Sequence, residues 1–72
     1  MTKKAMITTK NGAMTPNGRE RIMELRAGAK GTGKVLFQVI YWPWSDKSCE
    51  RADEIVFQAA RMARVEVVEN WE

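Results

Sequence analysis

Apolar positions begin at Ala5–Thr9, a short and partly β-branched segment that reads as the start of a strand. Asn11-Gly12 interrupts it with a turn or bulge signal. Ala13-Met14-Thr15 then runs into Thr15-Pro16-Asn17-Gly18. Proline pre-sets φ at the second turn position and Asn-Gly tolerates positive φ after it, so this tetrapeptide predicts a hairpin turn. Arg19–Ala27 admits two readings. Its residues form helices well, with Thr15-Pro16 to start one and Gly28 to end it. Against this, Met23, Leu25 and Ala27 alternate with Glu24 and Arg26, as in a half-buried strand. The turn before it and the glycine-rich loop after it (Gly28, Gly31, Gly33) favour the strand.

Val35–Trp42 is the clearest strand, rich in β-branched and aromatic residues and stopped by Pro43. Strict alternation puts Val35, Phe37, Val39 and Tyr41 on one face and Leu36, Gln38, Ile40 and Trp42 on the other. Both faces are mostly apolar, which predicts a central strand. Ser45-Asp46-Lys47-Ser48 offers N-cap residues for a helix running to about Ala63. Glu50, Asp53 and Glu54 near its start and Arg61 and Arg64 near its end suit the macrodipole. Cys49, Ala52, Ile55, Val56, Ala59, Ala60, Met62 and Ala63 share one arc at helical spacing, and Phe57 falls outside it. Arg64–Asn70 follows without a visible loop and reads as a last strand closed by Trp71.

The expected architecture is α+β: a three-stranded antiparallel meander, one C-terminal helix packed on the sheet, and a short final strand, all in one small domain over residues 1–72. One helix covers one face of such a sheet. The other face must then be solvated, partly covered by the N-terminal segment, or given to a partner. Leu36, Ile40 and Trp42 are too apolar for plain solvation.

At 72 residues the chain is too short for two cores. It has one cysteine and no histidine, which argues against a disulfide framework, Cys/His zinc sites and His-based acid–base chemistry. No apolar run is long enough to span a bilayer. The start, Met1-Thr-Lys-Lys, does not read as a signal peptide, and with a lone thiol this gives cytoplasm as the expected compartment.

Charge divides the chain. Residues 1–34 carry Lys3, Lys4, Lys10, Arg19, Arg21, Arg26, Lys30 and Lys34 against Glu20 and Glu24, while residues 35–72 are net acidic. The basic half suits nucleic acid or an acidic protein face as well as simple solubility.

Gly28-Ala-Lys-Gly-Thr-Gly-Lys34 nearly matches a phosphate-binding P-loop, but Val35 replaces the magnesium-binding hydroxyl. A strand rather than a helix follows, so the helix N-terminus that would meet phosphate is missing. The segment reads as a basic hairpin tip. Cys49 in the first helical turn reads as buried, and Asp46, Glu50, Asp53 and Glu54 as capping and solvated groups. Met6, Met14, Met23 and Met62 read as core fillers more readily than as an adaptable binding surface.

Tyr41 and Trp42-Pro43-Trp44 carry the strongest functional signal. Clustered aromatics are costly to expose, and Trp, Tyr and Arg dominate interface hot spots. Trp44 is expected further outside than Trp42. No cofactor and no enzymatic activity are expected. The favoured reading is a small binding protein that occludes a larger macromolecular machine. Inhibitors carried by phages and mobile elements, such as anti-CRISPR proteins, are of this size and class. The alternatives are a nucleic-acid-binding module and a homodimeric structural domain. The expected contact residues are Arg19, Arg21, Arg26, Lys30, Lys34, Trp42, Trp44, Phe57 and Arg61.

Overall fold

A computed structural model of the chain describes residues 3–68. Its element order is β1 (Lys3–Thr15), β2 (Gly18–Ala27), β3 (Val35–Tyr41), α1 (Asp46–Ala63) and β4 (Val65–Val67). The fold is α+β, with β1, β2 and β3 as an antiparallel meander. The sheet order is β3-β2-β1-β4, so α1 carries the chain from one edge of the sheet to the other. There β4 pairs in parallel with β1, Lys3 opposite Val65 and Ala5 opposite Val67. Thirteen strand residues at about 3.4 Å each span about 44 Å, and β1 accordingly matches the 44 Å long axis of the molecule.

Local chemistry fixes these elements. Asn11-Gly12 marks a bulge: Asn11 pairs with Arg21, and the next pair is Met14 with Arg19. A Cβ at Gly12 would stand 3.0 Å from the Glu20 carboxylate and 3.2 Å from Ile22, so a larger residue there would have to push these side chains aside. β1 therefore runs through the bulge as one strand instead of ending near Thr9. Pro16 and Asn17 form the two-residue connection to Gly18, whose φ is 114°. The Thr15 hydroxyl donates to the Gly18 carbonyl at 2.7 Å and accepts from the Asn17 amide at 3.3 Å. Arg19–Ala27 is strand, as the alternation of Met23 and Leu25 with Glu24 and Arg26 implies.

α1 starts at an N-cap, Ser45, whose side chain accepts from the Ser48 amide. Its buried stripe is Ala52, Val56 and Ala60, packed on Ala5, Met23 and Leu25. Ile7, Phe37, Val39, Tyr41, Val65 and Val67 pack around this core. Alanines at two of three stripe positions let the helix approach the sheet closely. α1 ends at Arg64, which takes the left-handed conformation (φ 58°) and donates its amide to the Ala60 and Arg61 carbonyls. One residue thus replaces a loop between helix and strand.

Five expectations are corrected. β3 is an edge strand rather than a central one: being apolar on both faces is compatible with either place, and here the edge is left uncovered. Strict alternation along β3 fails at its start, because the register shifts between the Leu25–Phe37 and Arg26–Val35 pairs and leaves Leu36 as an extra residue. The helical arc is wider than the face α1 buries: Ile55 and Met62, on its margin, are exposed. Of the four methionines read as core fillers, Met23 is buried, Met6 is half-buried, and Met14 and Met62 are exposed. β4 covers Val65–Val67, so it starts one residue later than the expected Arg64–Asn70, Arg64 being the helix cap, and Glu69, Asn70 and Trp71 lie outside the described residues.

Two variants test this packing. Leu25→Ala, at a fully buried position, should lower stability by about 2–5 kcal/mol in urea melts. Gly33→Ala would place a Cβ 2.6 Å from the Ala27 carbonyl oxygen and should cost about 1–3 kcal/mol.

Candidate docking surface

The face of the sheet away from α1 is stitched by a polar cluster around Glu24, which is 3% exposed. Its carboxylate accepts from Arg26 Nε at 2.9 Å and Gln38 Nε2 at 2.9 Å, and pairs with Lys10 Nζ at 3.3 Å. Arg26 Nη1 also donates to the Gly33 carbonyl at 3.0 Å. One acid thereby ties β1, β2, β3 and the 28–34 loop together. The loop lies against this face, since a Cβ at Gly31 would stand 3.3 Å from Met6 and Thr8. The N-terminal segment is a sheet strand and covers neither face. The hydrogen bonds from Arg26 and Gln38, aided by Lys10, hold the Glu24 carboxyl below its ordinary value despite the opposing effect of burial.

This cluster changes what the basic half can do. Arg26 and Lys10 are committed to Glu24, and Arg19 Nη1 donates to the Gly12 carbonyl at 3.2 Å. Arg21 is half-buried beside Tyr41, whose register partner it is. Lys30 and Lys34 remain exposed on and beside the loop, and Arg61 is exposed in the last turn of α1.

The aromatics gather at the hairpin end. Trp42 donates its indole N–H to the Thr15 hydroxyl at 3.0 Å, so the same oxygen that organises the turn also anchors the chain leaving β3. Trp44 stacks on Trp42 with ring centroids 6.4 Å apart and planes 16° from parallel. Trp42 is half-buried; Trp44 is 70% exposed. Pro43, Trp44, Arg19 and Asn17 frame a small hollow there.

A groove of about 470 Å³ runs from this pair between β3 and the first half of α1, walled by Ile40, Trp44, Lys47, Arg51 and Ile55. Ile40 is 50% exposed. A second groove crosses the end of the sheet from the start of β1 to the start of β3, lined by Leu36, Ala63 and Val65 with Lys3, Lys4 and Lys34. Phe57 belongs elsewhere. It lines a groove with Met6, Ile7, Asp53 and Val67 on the opposite flank of α1, because it sits two residues, or about 200° of turn, from Ile55. Trp44 and Phe57 therefore do not form one patch.

Of the expected contact residues, the structure brings Arg19, Trp42 and Trp44 together, sets Lys34 at the far end of β3, commits Arg26, and separates Phe57. Sequence reasoning missed Ile40, Ile55, Lys47 and Arg51 as lining one groove, and Glu24 as the buried centre of the polar cluster on the other face. The signal for Glu24 was its place mid-strand among Lys10, Arg26 and Gln38.

Among the described residues no group of three or more His, Cys, Asp or Glu side chains is placed to hold a metal ion, and Cys49 is half-buried. The 28–34 loop leads into β3, with Gly33 and Ala27 joined by a backbone hydrogen bond of 2.9 Å. Among the described residues no helix is long and apolar enough to cross a membrane. No family model, curated protein or solved structure matches the chain.

Glu24 sets a pH dependence. Its folded-state pKa is depressed, so its stabilising contribution is complete above the ordinary glutamate value of about 4.3 and is lost as pH falls through the lower folded value. Urea melts at stepped pH should show Glu24→Gln less stable than the wild type at neutral pH, with a shallower acid loss. Parallel acid profiles would contradict the assignment.

Proposed function

We propose that this is a non-enzymatic binding protein that docks on a larger protein assembly and blocks access to it. The carrying observation is the stacked Trp42–Trp44 pair, with Trp44 70% exposed beside Pro43 and Arg19. A rigid, pre-stacked aromatic pair loses little side-chain freedom on binding, and Trp and Arg are the residue types that concentrate interface energy. The Thr15–Trp42 hydrogen bond fixes the pair to the hairpin, so it is presented on a strand scaffold. Engagement of Arg26 and Lys10 by Glu24 supports a protein partner over a phosphate backbone. A second reading, nucleic-acid binding, draws support from Lys3, Lys4 and Lys34 lining one groove.

The test pairs partner capture with a gel shift. Trp44→Ala should weaken binding of the captured partner by more than about 1 kcal/mol, while Phe57→Ala, on the other flank, leaves it unchanged. DNA and RNA should give no tight shift. Micromolar binding that falls steeply with salt would favour the nucleic-acid reading instead.

A further inference from the structure

The outer edge of β3 has no strand beside it among the described residues. Edge strands are ordinarily protected by charge, proline, a bulge that twists the edge away, or a covering element. β3 reads Val-Leu-Phe-Gln-Val-Ile-Tyr, with no charge and no proline, and its only irregularity lies at its start. The far side of the sheet is guarded differently. β1 continues there past β4, but with Lys10 and the Gly12 bulge. The flank of α1 toward β3 is also unfinished. Ile55 lines the groove at the end of β3, and Met62, seven residues on and on the same helical stripe, is 79% exposed. The apolar arc of α1 is wide enough for a sheet extended by one strand on this side.

We propose that the free edge of β3 receives an extended strand from a partner protein, apolar in its middle and acidic at both ends. This rests on the reading of the protein as a protein-binding module and names the chemistry of what it binds. Charge selects the occupant. The groove at the end of β3 carries Lys47 and Arg51, the groove at its start carries Lys3, Lys4 and Lys34, and no acidic side chain lines either. The apolar lining is Ile40, Trp44 and Ile55 in the first groove and Leu36, Ala63 and Val65 in the second. A second copy of this chain is a poor occupant. Antiparallel pairing of two β3 strands would bring Lys34 of one copy toward Lys47 and Arg51 of the other, like charge on like. An added strand would satisfy the open backbone groups of β3 while its alternate side chains enter the groove, which is how sheet-edge recognition gains affinity and specificity. It would also continue from the Trp42–Trp44 pair, making one contact surface of the two features.

Fluorescence anisotropy with three labelled peptides tests this. The first alternates valine and threonine between glutamate pairs, the second carries lysine pairs instead, and the third is the first with alternate backbone amides methylated. The acidic-ended peptide should bind at least about tenfold more tightly than the lysine-ended one. Methylation along the pairing edge should abolish binding, and β3 amides should gain hydrogen-exchange protection. Ile40→Lys and Arg51→Glu, both at exposed positions, should each weaken binding with the circular dichroism spectrum unchanged. The proposal is overturned if the acidic- and lysine-ended peptides bind alike, if neither binds, if protection appears away from β3, or if light scattering shows a dimer that Ile40→Lys dissociates. Such a failure with the Trp44→Ala effect on the captured partner intact removes the strand mode alone. Loss of both removes the protein-binding reading itself.

Discussion

An eighteen-residue helix laid across four strands dehydrates only what lies beneath it, and the rest of this structure follows from that shortfall. The helix keeps close contact by presenting alanine at Ala52 and Ala60 and one larger residue, Val56, to the sheet. That choice brings the backbones together but leaves a core with two sizeable fully buried side chains, Leu25 and Val56. A domain of this length has little surplus stability. The opposite face must then be held by something other than apolar burial. Glu24 with Arg26, Gln38 and Lys10 supplies that hold, as a satisfied polar network that specifies register across three strands.

The same shortfall explains where the interaction surface lies. α1 begins over β3 and must finish beside β4, so it cannot also protect the outer flank of β3. What it leaves open is continuous with the tryptophan pair at the hairpin end. Fixed aromatics and an unguarded strand edge make a small rigid protein suited to docking, because little has to be ordered on contact. Lys10, Arg19 and Arg26, by contrast, already make contacts within the chain to Glu24 and Gly12, which leaves a weaker electrostatic signature than the sequence total suggests.

Much of this was legible in the residues. Alternation of Met23 and Leu25 with charged neighbours identified β2 against its helix-forming composition, because burial on one face outweighs intrinsic propensity. Thr15-Pro16-Asn17-Gly18 and Asn11-Gly12 announced a turn and an irregularity through backbone chemistry alone. The place of β3 was not legible. An apolar strand looks the same whether its neighbour belongs to the chain or to another molecule, so composition reports the need for cover and not its source. The Trp42–Thr15 bond was hidden for a different reason: it joins side chains far apart in sequence, and no local pattern encodes it. Phe57 and Trp44 were expected as contact residues on separate grounds, charged helix neighbours for one and an aromatic cluster for the other, and only the helix direction across the sheet decides which flank each one faces.

The single left-handed residue between α1 and β4 leaves the chain no slack there. Arg64 passes the polypeptide directly from the last helical turn into a pairing with the opening residues of β1. That seam joins almost the whole length of the described chain, while the meander closes over short loops. Assembly should therefore run from the two hairpins outward, with the β1–β4 seam zipped last, once the helix has settled and aimed it. The same seam should be the first to breathe in the native state, so the exchange of its amides with solvent would report how firmly the helix is seated.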